Sequence, residues 1–195
     1  MSDLNNVSAV CFDAFGTLIK SKADRQSPYL WLLKNAVDQS SILRDEFLKT
    51  NEPLAYFVRK LGFETHLDYL QGELDREVVG IELYEESLTV IERLHSMNKR
   101  IVLCSNLMFG YGEKVKALLP DAVEAQIFSF EVGAIKPQPE IYQAVCDQLN
   151  LPPSRILFVG DSPRCDERGP SEFGMRSLLL NRKIGQTLQT LLQIR

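Results

Sequence analysis

The feature that most constrains this chain is a rhythm. Five short apolar runs, Val7–Phe12, Ile101–Cys104, Gln126–Phe128, Ile156–Val159 and Ser177–Leu180, are separated by helical patterns and short polar turns. Runs of this length without strict alternation are typical of strands in a sheet covered on both faces, as parallel sheets are. Between them, Tyr84–Met97 carries Leu88, Ile91 and Leu94 on one stripe, with Glu85, Glu86, Glu92 and Arg93 off it. Gly112–Leu118, Pro139–Leu149 and Ser171–Gly174 supply shorter crossovers, and Gln186–Leu192 adds a last helix. Strand alternating with helix predicts an α/β fold, a doubly wound, Rossmann-like parallel sheet.

The rhythm fails once. Between Leu18 and Leu83 no strand pattern is visible, although a βαβ crossover needs only about 30 residues in all. The interval reads as helices over Pro28–Val37, Ile42–Lys49, Pro53–Leu61 and His66–Val79, with Tyr29, Leu32, Phe47, Phe57 and Leu70 among the apolar residues of a small core. This predicts a helical insertion over residues 19–82, placed after the first strand, with 1–18 and 83–195 forming the α/β core. The alternative is that these helices simply cover one sheet face. Hinges are expected near Leu18–Lys20 and Ile81–Leu83, and Tyr29 and Trp31 are read as insertion core rather than interface.

The chain has 195 residues and a formal charge of −4. That balance argues against a nucleic-acid binder, which needs a surplus of Lys and Arg on one face. No apolar run approaches the roughly 18 residues of a membrane span, and MSDLNNVSAV lacks the marks of a signal peptide, so a cytoplasmic location is expected. The four cysteines include no CxxC pair. Cys11 and Cys104 fall in strand runs, where a thiol acts as a small hydrophobe, while Cys165 is placed in a polar loop beside Arg164. His66 and His95 lie in helical patterns with no partner for a zinc site.

In open α/β sheets, ligands bind beyond the carboxyl ends of the strands. The residues just after each run are therefore informative. Asp13-Ala14-Phe15-Gly16-Thr17 succeeds the first run and Ser105-Asn106 the second; the third leads to Lys136, and the fourth to Gly160-Asp161 and onward to Asp166. Singly these are caps, turns or solvated charges. Four polar strand ends at one edge are harder to dismiss.

FDAFGTL, CSN, the lysine of GAIKPQPEIY and VGDSPRCDERG resemble the four successive motifs of the haloacid dehalogenase-like hydrolases. The insertion after the first motif is similar to the helical cap of members that carry a cap there. The resemblance implies that Asp13 is a covalent nucleophile, that Thr17, Ser105 and Asn106 position oxygens of the reacting group, and that Lys136 neutralises charge. It also implies a Mg²⁺ site made by Asp13, the main-chain carbonyl of Phe15, Asp161 and Asp166, a set of hard oxygen donors.

Two positions pull in different directions. Phosphatases of this superfamily carry a second Asp where this chain has Phe15, and a phenyl ring transfers no proton. Phe15, and Tyr142 six residues after Lys136, are similar to the 2-haloacid dehalogenase branch. Asp161 and Pro163, however, stand where that branch has neutral Ser and Asn. Three carboxylates against one lysine favour a divalent cation and would repel a haloacid carboxylate. Arg25, Arg44 and Arg59 are the cations of the insertion that could receive a carboxylate or halide. The reading favoured is Mg²⁺-dependent hydrolysis of a small phosphorylated molecule with a good leaving group. C–halogen hydrolysis of a halogenated substrate and a catalytically impaired binding or regulatory module are the alternatives. The chain is expected as a monomer or homodimer.

Overall fold

The computed structural model describes residues 3–22, 27–36 and 40–194. In chain order it runs β1 (Ala9–Phe12), β2 (Ile19–Ser21), α1 (Pro28–Asn35), α2 (Ser40–Lys49), α3 (Leu54–Lys60), α4 (Leu67–Val79), β3 (Ile81–Leu83), α5 (Ser87–Ser96) and β4 (Arg100–Ser105). It continues with α6 (Phe109–Leu118), β5 (Ala125–Phe128), α7 (Ser129–Val132), α8 (Pro139–Leu149), β6 (Ile156–Gly160), α9 (Gly169–Phe173), β7 (Arg176–Leu179) and α10 (Leu188–Leu192).

Five of the strands form one parallel sheet in the order β5-β4-β1-β6-β7. The central strand β1 is flanked by β4 and β6, so the chain winds first to one side of it and then to the other. This places the topological switch point at the carboxyl end of β1. Register makes the placement tight: Phe12 pairs with both Leu103 and Val159. The chain therefore leaves β1, β4 and β6 at neighbouring points along one edge.

Alternation is hidden in the sequence because both faces are apolar, yet it organises the core. Val10, Phe12, Ile101, Leu103, Leu157 and Val159 pack into one buried cluster with Val90, Ile91 and Leu94 of α5 and Leu188 and Leu192 of α10. Cys11, Val102, Cys104, Ile156 and Phe158 point the other way, onto Ile141, Tyr142, Val145 and Leu149 of α8. On α5 the stripe is shifted from the expected one. Val90, Ile91 and Leu94 are buried, whereas Leu88 is 45% exposed. The i, i+3, i+6 count drifts off a 3.6-residue period, and Val90 fills the place assigned to Leu88.

The α1–α4 helices carry a core of their own. Tyr29, Leu32, Phe47, Leu54, Phe57, Leu70 and Leu74 are buried together. Its centre is aromatic, with Phe47 and Phe57 edge to face at 4.7 Å and Tyr29 and Phe47 at 5.3 Å. Trp31 is half-buried against Phe63 and the His66 ring, at 5.3 and 5.0 Å. These helices rest on the α/β layer where α2 meets α7 and α4 meets α6.

The expectation that no strand lies between Leu18 and Leu83 is overturned. β2 and β3 form a two-stranded antiparallel ribbon, Ile19 opposite Leu83 and Ser21 opposite Ile81. Lys20 and Lys22 both reach Glu82, at 3.2 and 2.6 Å. Strands of three residues are too short to show a period, and their pairing spans the whole helical interval. Among the described residues, no helix is long and apolar enough to cross a membrane.

Candidate active site

β1 ends in a tight loop. The Ala14 carbonyl accepts N–H bonds from Thr17, Leu18 and Ile19, at 3.2, 2.9 and 2.9 Å, while Gly16 donates to the Ile19 carbonyl. Gly16 adopts φ +83°, which a side chain disfavours. A Cβ there would also lie 2.2 Å from Asp161 Oδ2, so the glycine lets the loop close onto the end of β6. Gly160, the last residue of β6, is required for a related reason: a Cβ would meet Asp166 Cγ at 2.4 Å.

Lys136 joins these elements. It is 3% exposed, and its Nζ donates to Asp13 Oδ1 at 2.6 Å, Asp166 Oδ1 at 2.7 Å and the Cys104 carbonyl at 3.0 Å. Those bonds use the three hydrogens of the ammonium. The other carboxylate oxygen of Asp166 accepts the Ser162 N–H at 2.9 Å. Asp13, Asp161 and Asp166 each offer an oxygen such that all three lie within 4.8 Å of one another. Asp13 and Asp166 are buried, and Asp161 is at the exposed mouth.

Burial pushes the Asp13 carboxyl up to about 7, helped by Asp166 and Asp161 and opposed by Lys136. Asp161 is raised by burial and by Asp166. Burial alone would lower Lys136, but Asp13 and Asp166 outweigh it and hold the ammonium well above its usual value.

A profile of the haloacid dehalogenase-like hydrolases matches residues 7–174. The chain belongs to that family. Its relatives fall on both sides of the family's chemistry. One is "(S)-2-haloacid dehalogenase 4A" of Burkholderia cepacia, 25% identical, with 92% of this chain and 85% of that protein aligned. Another is a phosphatase of Mycobacterium tuberculosis, 29% identical over 73% of this chain and 67% of that protein. Among solved structures, a family enzyme of Bacteroides thetaiotaomicron, in complex with magnesium and inorganic phosphate, superposes with a TM-score of 0.66 at 19% identity, over 90% of this chain and 94% of its own.

Around the carboxylates of this haloacid dehalogenase-like hydrolase stand the other residues that its sequence singles out. Asn106, expected to face substrate, has its side chain committed to the Lys136 backbone. Oδ1 accepts the Lys136 N–H at 2.7 Å and Nδ2 donates to the Lys136 carbonyl at 3.0 Å. A two-point clamp on a main chain fixes where Lys136 stands. Ser105 is buried at the end of β4. Thr17 is fully buried, and its Oγ1 has no hydrogen-bond partner among the described residues. Cys165 lies not in an open loop but in a π-helical turn over Pro163–Arg168, its Sγ at 3.3 Å from the Lys136 carbonyl. Tyr142 donates to the Cys165 carbonyl at 2.6 Å, tying α8 to that turn. Phe15 is half-buried and meets Tyr111 edge-on at 6.4 Å. Of the insertion arginines, Arg59 is exposed on α3, Arg44 lines a cavity between the insertion and the sheet edge, and Arg25 lies outside the described residues.

One residue carries no mark in the sequence. Arg182, three residues beyond the end of β7, donates from Nε to the Gly16 carbonyl at 2.9 Å and from Nη2 to the Thr17 carbonyl at 2.6 Å. Its Nη1 pairs with Glu86 at 2.7 Å, and the guanidinium stacks 3.5 Å from the centre of the Tyr84 ring. The only available signal is its place after a strand, at the edge where the other polar residues gather. The planar fork suits this task and an ammonium would not.

This geometry predicts two outcomes. Arg182→Ala should cost about 2–3 kcal/mol in urea unfolding and speed amide exchange at Leu18 and Ile19; unchanged exchange there would show that the loop is held by other means. Asp13 gives a pH dependence. Its folded pKa lies above the unfolded value, so its contribution to stability is complete below pH about 4 and is lost as the pH rises to about 7. In chelator-treated protein, Asp13→Asn should therefore show a shallower fall in stability over that interval than wild type, and parallel curves would exclude Asp13 as the titrating group.

Proposed function

We propose that the chain is a Mg²⁺-dependent phosphohydrolase that works through an aspartyl phosphate on Asp13. The observation that carries this reading is the cluster of Asp13, Asp161 and Asp166 around the single ammonium of Lys136. With all four groups ionised, the site holds two negative charges in excess. At about 4 Å and an effective dielectric near 20, each like-charge pair costs on the order of 4 kcal/mol. A divalent cation offsets that repulsion, and three carboxylates with the Phe15 main-chain carbonyl are the hard oxygen donors that suit Mg²⁺. The bound ion would draw charge from the phosphoryl oxygens as the new bond forms.

The protein's own groups do the rest. Asp13 attacks phosphorus with a carboxylate oxygen, and the leaving group departs with the electron pair of the broken P–O bond. Lys136 favours the ionised form of Asp13 against the effect of burial and balances charge in the attack. Ser105 and Thr17 are the hydroxyls assigned to the phosphoryl oxygens, while Asn106 acts by positioning Lys136. Water then cleaves the aspartyl phosphate. Phe15 supplies no proton to the leaving group, and general acid catalysis is worth roughly 10²–10⁴ in rate. Preferred substrates are small-molecule phosphates whose leaving groups depart unprotonated, such as acyl and activated aryl phosphates. The helices between β2 and β3 form the cap over this site, on a hinge made by the ribbon.

Halide displacement from a 2-haloacid by Asp13 is the second reading. Phe15 favours it, because halide needs no proton. An assay panel separates the two. Aryl phosphate turnover should fall at least tenfold in EDTA and return with Mg²⁺; metal-independent turnover of aryl phosphates would sink the first mechanism, and halide release from (S)-2-chloropropionate in EDTA would establish the second. A complementary change tests the missing acid. Phe15→Asp should raise the rate on alkyl phosphates more than on 4-nitrophenyl phosphate, and an equal effect on both would show that proton donation is not what this position lacks.

A further inference from the structure

A cavity of about 760 Å³ opens between the helices of α1–α4 and the carboxyl edge of the sheet, and it reaches the loop after β1 at Phe15, two residues beyond Asp13. Phe15 and Asn106 form its inner wall, and Leu30, Leu33, Leu48 and Ile81 line much of the remainder. Three of its polar groups meet at one corner. There Tyr111 Oη donates to Glu77 Oε2 at 2.5 Å, and Ser27 Oγ lies 3.0 Å from Tyr111 Oη. Glu77 and Tyr111 stand on α4 and α6, so this corner spans the seam between the insertion and the core.

Glu77 is an unusual wall residue for a site that handles anions. It is half-buried, and among the described residues it forms no ion pair with a lysine or arginine. Burial raises its carboxyl above the ordinary range, the Tyr111 and Ser27 hydrogen bonds oppose that rise, and a cation brought against it would oppose it further by favouring the carboxylate. The Tyr111 and Phe15 rings beside it add faces and edges that an ammonium-bearing aromatic can use. Arg44, the other charged residue of the wall, is exposed, so water screens its charge.

We propose that this corner reads the far end of the substrate, and that the substrate is an aryl phosphate whose ring carries a chain ending in a primary ammonium group. This assignment rests on Asp13 being the phosphoryl acceptor. The apolar wall takes the ring, and Glu77, held by Tyr111, takes the ammonium. A sugar phosphate would leave its hydroxyls against Leu30, Leu33 and Leu48 without partners, and a substrate with a terminal carboxylate would meet Glu77 as a like charge.

Tyramine O-phosphate, phenyl phosphate, 4-(carboxymethyl)phenyl phosphate and glucose 6-phosphate, assayed with Mg²⁺, test it. For the wild-type protein kcat/KM should be at least tenfold higher for tyramine O-phosphate than for phenyl phosphate, mainly through KM, with the carboxylate and the sugar phosphate poorest. In Glu77→Gln the ratio between the first two should fall close to one. Equal ratios in wild type and variant, or no amine preference in wild type, overturn the assignment. Calorimetry with tyramine and p-cresol, which carry no phosphate, gives a separate readout: tyramine should bind at least tenfold tighter to the wild type and lose that advantage in Glu77→Gln. Selective tyramine binding without turnover of any phosphate leaves the pocket assignment standing and removes the phosphohydrolase reading. Turnover of the phosphates without amine preference does the reverse. Should Glu77→Gln fail to fold, Tyr111→Phe, which deletes the hydroxyl that holds Glu77, is expected to weaken tyramine binding, and undiminished binding there counts against the proposal.

Discussion

The buried ammonium of Lys136, shared between Asp13 and Asp166, is the interaction on which the rest of this structure depends. A lone charge taken out of water is costly, and two carboxylates at hydrogen-bond distance are what make the burial tolerable. The reverse holds as well: Asp13 and Asp166 cannot approach each other this closely without the lysine between them. The three groups come from three separate segments, after β1, before α8 and after β6. Sheet register brings the strand ends level, and the Asn106 clamp sets the height of Lys136. Removing one partner would leave an uncompensated charge in the interior, so the site and the stability of the sheet edge are one problem.

Much of this is legible in the sequence, for reasons that are physical. Strands buried on both faces must be apolar along their length, so β1, β4 and β6 announce themselves, and the residues just beyond them fall at one edge by topology alone. Asp13, Asp161 and Asp166 are visible in this way, Lys136 stands out by its motif beyond β5, and the structure brings the four side chains together. Other features leave no local trace. The β2–β3 ribbon consists of three-residue strands paired across the helical interval, below the length at which a period can be counted. Leu88 looks inward-facing because it continues the three-residue spacing of Ile91 and Leu94, yet that spacing drifts from the 3.6-residue period that decides which side faces the sheet.

Asn106 and Arg182 are hard to read from sequence for a shared reason: each acts on main chain. A side chain that bonds to carbonyls and N–H groups of a distant loop has no partner residue type to look for. The same holds for Gly16 and Gly160, whose requirement is the absence of a Cβ beside a carboxylate. Residue type identifies the groups that carry charge. The groups that fix where the charge stands become visible only when the backbone is in place.

Arg182 also bears on how such a site comes into being. It bonds to a loop lying 166 and 165 residues earlier in the chain, at Gly16 and Thr17. Domains form from the amino terminus onward as a chain leaves the ribosome. The Asp13 loop is thus among the first segments to emerge and among the last to be secured, because its clamp is translated after every strand of the sheet. A nascent chain can hold Lys136 and all three carboxylates and still lack the fastening that sets the loop, which arrives only with the turn after β7.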